Sequence, residues 1–181
     1  MKKLKLEELE RISTKEFKIA NKIPVCLVLE NVRSLHNVGS AFRTADAFRI
    51  EKIWLTGITG TPPHREINKT ALGATESVDW EYANQKTLLE YLKNDGYRIA
   101  VVEQTDQSIA LHQFTPKPME KFALIFGNEV DGISQEMLDQ ADLALEIPQF
   151  GTKHSLNISV CLGIVVWTFF KNLSLSNASK K

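Results

Sequence analysis

At 181 residues with 43% apolar side chains, the chain is long enough to bury one core of ordinary domain size. Its 22 basic and 22 acidic side chains cancel, which excludes a globally basic polyanion binder and leaves only local patches to meet such a partner. Cys26 and Cys161 lie far apart in apolar runs, without paired spacing or neighbouring histidines, so neither a disulfide nor a metal site is expected.

The first 22 residues carry seven basic side chains against four acidic ones, interleaved with Leu4, Leu6, Leu9 and Ile12. They predict a short helical extension over 1–22, read either as a solvated face or as a basic face on nucleic acid. The opening MKKLKLEELERI has acids where the apolar stretch of a secretory signal would lie. The longest apolar stretch, 158–170, covers 13 positions, short of the about 20 that a membrane span needs. A cytoplasmic protein with no membrane partner is the expectation.

Apolar runs recur at 24–29, 52–56, 98–102, 122–126 and 143–147, each bounded by turn residues. Uninterrupted runs of this length suit strands covered on both faces. Helical patterns fall between them at 38–48, 85–94, 134–141 and 156–172. The alternation predicts a single α/β domain over 23–173, a parallel sheet flanked by helices. Residues 174–181 are expected to form a flexible tail.

Within this frame, residues 31–48 read NVRSLHNVGSAFRTADAF. Val38, Ala41, Phe42, Ala45 and Phe48 recur at helical spacing as one buried stripe, with Asn37 directly before it as the expected N-cap. Gly39 and Arg43, four apart, share another face, where the missing side chain at Gly39 would clear room beside the guanidinium. Alone, the segment reads equally as a capped helix with an exposed arginine or as a site. Residues 59–74, TGTPPHREINKTALGA, put His64, Arg65 and Lys69 in a polar loop, either solvated or touching a substrate backbone.

Residues 122–134, FALIFGNEVDGIS, take a buried strand into a glycine-bounded turn, where backbone can approach a ligand closely. Ile133 stands where a phosphate-binding loop would need lysine, and Glu129 would repel phosphates, so nucleotide hydrolysis is rejected. Residues 145–167, LEIPQFGTKHSLNISVCLGIVVW, lead from a strand through a polar cluster into a helix apolar on most sides. Such a helix must be buried against the sheet and a further surface. Ser155 and Asn157 at its start read as a capping pair or as site residues.

Taken together, N-x-G-x-x-x-R at 37–43, G-N-E-x-x-G at 127–132 and I-P-x-x-G-x-x-x-S-L-N at 147–157 resemble the three motifs of the SPOUT superfamily. The likeness is to its SpoU or TrmH-type branch of tRNA and rRNA ribose 2′-O-methyltransferases, and it covers roughly 24–172. It implies a C-terminal deep trefoil knot, a homodimer in which two subunits complete each site, and S-adenosylmethionine as cofactor. Carried over motif by motif, it assigns the cofactor to Gly127, Asn128, Ile147 and Leu156, with Gln104 as a further candidate. It assigns catalysis to Arg43, Asn37, Glu129, Ser155 and Asn157. A guanidinium holds its proton, so Arg43 is read as gripping a phosphate and stabilising a developing alkoxide. Gln149 stands where many relatives have methionine, which leaves the substrate open. tRNA is expected ahead of rRNA, with His64, Arg65 and Lys69 on the RNA. A silent RNA-binding protein on the same scaffold is the alternative reading.

Overall fold

The computed structural model describes residues 1–178; of the tail expected at 174–181, residues 179–181 lie outside the described residues. After a 3₁₀ turn at Leu6–Leu9 the elements run α1 Thr14–Ile19, β1 Ile23–Glu30, α2 Leu35–Ala47, β2 Ile50–Thr56, α3 Arg65–Ala71, α4 Ala74–Ser77 and β3 Trp80–Tyr82. They continue as α5 Gln85–Asn94, β4 Tyr97–Val102, β5 Ile109–Ala110, β6 Lys121–Phe126, α6 Gln135–Asp139, β7 Leu143–Glu146 and α7 Ile158–Ala178. The sheet has seven strands in the order β3-β2-β1-β6-β4-β7-β5, and every pairing is parallel.

The five expected strands are present, and they form the sheet because both their faces are covered. In β1, Val25, Leu27 and Leu29 join one apolar cluster while Cys26 and Val28 join another, the period of two that a doubly covered strand imposes. β6 divides the same way, with Phe122, Leu124 and Phe126 on one side and Ala123 and Ile125 on the other. The first cluster is closed by α2 and α7 through Phe42, Ala45, Val165 and Phe169, and the second by α5 and α6 through Leu88, Leu92 and Met137. Fully burying one such side chain stabilises the fold by about 1.5–3 kcal/mol.

Edge strands β3 and β5, with three and two residues, were not expected; runs that short carry no readable alternation. Two details of α2 differ from expectation. Its N-cap is Ser34, whose hydroxyl accepts from Asn37 N at 3.3 Å, so the helix starts earlier and Asn37 lies in its first turn. Gly39 is buried against α3: a β-carbon there would sit 2.1 Å from Thr70 Oγ1 and 2.3 Å from Ile67 O. The missing side chain makes room for a second helix, not for the arginine.

Candidate active site

The carboxyl ends of β1, β4, β6 and β7 lie together at one edge of the sheet, where open α/β sheets take their ligands. Beyond β6 the chain closes a tight turn by reciprocal hydrogen bonds, Asn128 N to Gly132 O at 2.9 Å and Gly132 N to Asn128 O at 3.1 Å. Asn128 spends its side chain on the same turn. Its Oδ1 accepts from Val130 N and Asp131 N at 2.8 and 3.0 Å, and its Nδ2 donates to Asn31 O at 2.8 Å. A β-carbon at Gly127 would meet Gly132 C at 2.4 Å, so the turn closes only around glycine.

Glu129, projecting from this turn, draws in the first motif. Its carboxylate accepts from Arg33 N and Ser34 N at 3.1 Å each and from Asn37 Nδ2 at 3.0 Å. Burial pushes its pKa up, but the donors at Arg33, Asn37 and Ser34 outweigh burial and hold it below the ordinary carboxylate value. Asn157 Nδ2 donates to Asn37 Oδ1 at 3.2 Å, bringing in the third motif. Asn157 also caps α7, its Oδ1 accepting from Ser159 N at 2.9 Å. The capping reading of this residue holds, and the same side chain also reaches Asn37. Asn37, Glu129 and Asn157, separated by 92 and 120 positions, form one relay.

Against this relay lies a cavity of about 270 Å³. Gln104, Gly127, Asn128, Glu129, Ile147, Ser155, Leu156 and Asn157 all line it. Apolar walls come from Val102, Phe126, Leu145 and Ile158, and carboxylates from Glu103, Glu129 and Glu146. Its lining contains no lysine, arginine or histidine. Cys161 also lines it, its thiol pushed up to about 11 by burial and then by the charge of Glu103.

Arg43 stands elsewhere. It lines a separate open cleft with Ser40, Thr44, Ala47, Phe48, Lys69 and Thr70, none of which lines the cavity. The reason is helical geometry: six residues along α2 from Asn37 is about 9 Å of rise and about 240° of rotation. The segment expected as a loop at 59–74 is partly helical. His64 caps α3, its Nδ1 accepting from Glu66 N at 3.1 Å, Arg65 begins the helix, and Lys69 is paired with Glu66 at 2.7 Å. Glu66 also holds His36 Nε2 at 2.8 Å, tying α3 to α2.

With this arrangement in view, the family model described as SpoU rRNA Methylase matches residues 24–167. The chain belongs to the SpoU methylase family. It is 31% identical over 151 residues to a tRNA (guanosine(18)-2'-O)-methyltransferase of Borreliella burgdorferi, covering 83% of this chain and 67% of that one. It is also 31% identical over 144 residues to a 23S rRNA (guanosine-2'-O-)-methyltransferase of Neisseria meningitidis, covering 79% and 56%. The chain therefore spans between about half and two thirds of the length of these relatives. Among solved structures, an AdoMet-bound rRNA methyltransferase of Sinorhizobium meliloti superposes with a TM-score of 0.77 at 26% identity, over 82% of this chain and 56% of that one. The parallel α/β fold agrees with that membership; the two relatives are named as RNA 2′-O-methyltransferases, and the Sinorhizobium structure holds AdoMet.

The cavity fits that cofactor on its own chemistry. Apolar walls suit an adenine ring, and carboxylates without cations suit a sulfonium and an ammonium while disfavouring phosphates. Sequence reasoning missed Glu103, Glu146 and Cys161. The position of Glu103 directly after an expected strand was the available signal, since strand ends at this edge meet the ligand. No helix among the described residues is long and apolar enough to cross a membrane, and no cluster of potential metal ligands occurs among them.

Proposed function

We propose that this chain transfers a methyl group from S-adenosylmethionine to a ribose 2′-hydroxyl of RNA, and that tRNA is its substrate. The observation that carries the reading is the relay Glu129–Asn37–Asn157, which ties all three motifs to the rim of one cation-accepting cavity. For tRNA, the Borreliella enzyme aligns over a larger share of both chains than the rRNA enzyme does at the same identity. The reading also expects the C-terminal segment to thread a knot. The order β6-β4-β7, with β4 between two later strands, supports such a crossing.

Bound at the cavity, S-adenosylmethionine supplies the methyl group as a sulfonium electrophile. The chain's own residues orient the attacking ribose and carry its charge. Gly127, Asn128, Ile147 and Leu156 form the cofactor walls, and Ser155 and Asn157 face the ribose from the rim. Asn37, fixed by Glu129 on one side and Asn157 on the other, holds the hydroxyl in line. Arg43 supplies the positive charge that stabilises the oxygen as its proton passes to solvent water, and grips the adjoining phosphate. Arg65 and Lys69 meet the RNA backbone beside it.

Within one protomer Arg43 belongs to a different cleft, and this favours a homodimer in which Arg43 of each subunit serves the other's cavity. The exposed apolar stripe of α7, Val160, Ile164 and Trp167, supports the association, with Phe48 of α2 packed against Trp167 at 5.8 Å. The functional reading is tested with labelled S-adenosylmethionine, tRNA, rRNA and a DNA copy of the tRNA. Label is expected in tRNA and absent from DNA, which lacks the 2′-hydroxyl. Methylation of the DNA copy, or of rRNA alone, would sink the assignment.

A further inference from the structure

In the sheet, β4 lies between β6 and β7, and those two strands feed the two walls of the cavity. β6 runs into the turn at 127–133, and β7 into the segment 147–157. The two residues that follow β4 each reach one wall. Glu103 Oε2 accepts from Ile133 N at 3.2 Å, while its Oε1 accepts from Gln104 N at 2.9 Å and so fixes the carboxylate. A β-carbon at Gly132, whose φ is +70°, would lie 2.5 Å from Glu103 Oε2, so glycine there is what admits the carboxylate. On the other side Gln104 Nε2 donates to His154 O at 2.9 Å, immediately before Ser155.

We propose that Glu103 and Gln104 are positioning residues that clamp the two walls of the cavity to one strand end, so that cofactor bound against one wall also fixes Ser155 and Asn157 on the other. The proposal rests on the S-adenosylmethionine reading of the cavity. Gln104, expected to hold the cofactor directly and lining its cavity, acts also through the carbonyl of His154. A lone exposed hydrogen bond contributes little, but both ties end on adjacent residues of one rigid strand, and linked hydrogen bonds reinforce each other. The loop they hold, 149–155, has no regular structure of its own.

The test is calorimetric titration of S-adenosylmethionine onto the full chain, with the thermal midpoint of the free protein and amide exchange over 152–157 measured in parallel. Gln104→Met keeps the side chain's length and removes the donor. It is expected to weaken cofactor binding about threefold to tenfold at an unchanged midpoint, and to abolish cofactor-induced protection over 152–157. Gln104→Lys, which restores a donor of similar reach, is expected to recover affinity to within about twofold. Glu103→Gln weakens binding as well, and the double variant falls short of the product of the two single effects. Unchanged affinity in Gln104→Met, no rescue by lysine, a full product in the double variant, or a lowered midpoint that accounts for the loss would each overturn the clamp. Absence of binding by the wild-type chain would overturn the functional reading instead.

Discussion

The cavity at the sheet edge and the cleft around Arg43 are opposite in charge and in how firmly they are held. Three carboxylates and no cation line the cavity, and hydrogen bonds from three distant segments lock its rim. The cleft carries Arg43 and Lys69, and lies open between α2 and α3. A sulfonium needs the first environment and a developing alkoxide beside a phosphodiester needs the second. One chain therefore carries both environments but places them apart, and in the proposed two-copy reading a second copy of the chain joins them.

The largest effect comes from removing the positive half. Arg43→Lys keeps the charge but loses the planar fork, and is expected to lower methyl transfer by at least about a hundredfold. Cofactor affinity should stay within about twofold, because the cavity does not contain this residue. Near-normal turnover in this variant would remove Arg43 from the chemistry. Mixing sharpens the same comparison. Arg43→Ala and Glu129→Ala subunits, each inactive alone, should together recover roughly a quarter of wild-type activity, since half the dimers are mixed and each holds one intact site. If no activity returns on mixing, the halves are not shared between subunits.

The apolar face offers a smaller effect of another kind. Trp167 is 52% exposed and stacks on Phe170 at 6.0 Å, so it is held in place without being buried. Trp167→Glu is expected to convert a dimer to monomer in sedimentation, and to cut activity in step with dimer content while leaving cofactor binding measurable. A monomeric wild-type protein with full activity would break the two-copy account.

Much of this was legible in the chain. Five strands announced themselves as apolar runs because a parallel sheet is covered on both faces, and the stripe 38, 41, 42, 45 marked the buried side of α2. The motif residues of the cavity wall came from the family resemblance, and the fold brings those motifs to neighbouring strand ends. What escaped was set by contacts between segments distant in sequence. Gly39 looked like room for its neighbour four residues on, yet α3 fills that room. Asn37 looked like a cap, but Ser34 caps the helix and frees Asn37 to join Glu129, 92 positions away. The short strand β5 and the pairing of Lys69 with Glu66 left no periodic trace.

The smallest expected effect probes the negative half alone. Cys161 lines the cavity, and its thiol is raised from 9.0 to about 11, first by burial and then by the nearby charge of Glu103. A thiol alkylates through its thiolate, so at neutral pH this one should react far more slowly than a free cysteine. Cys26 is fully buried and its thiol is raised further still, so it does not compete. Iodoacetamide labelling followed by mass across a pH series is expected to rise only as pH approaches 11, with no step near 9. Saturating cofactor should suppress the labelling, because both occupy one space. A labelling midpoint at or below 9 would mean that the cavity is wetter and less negative than its lining implies, and the contrast with the arginine cleft would weaken accordingly.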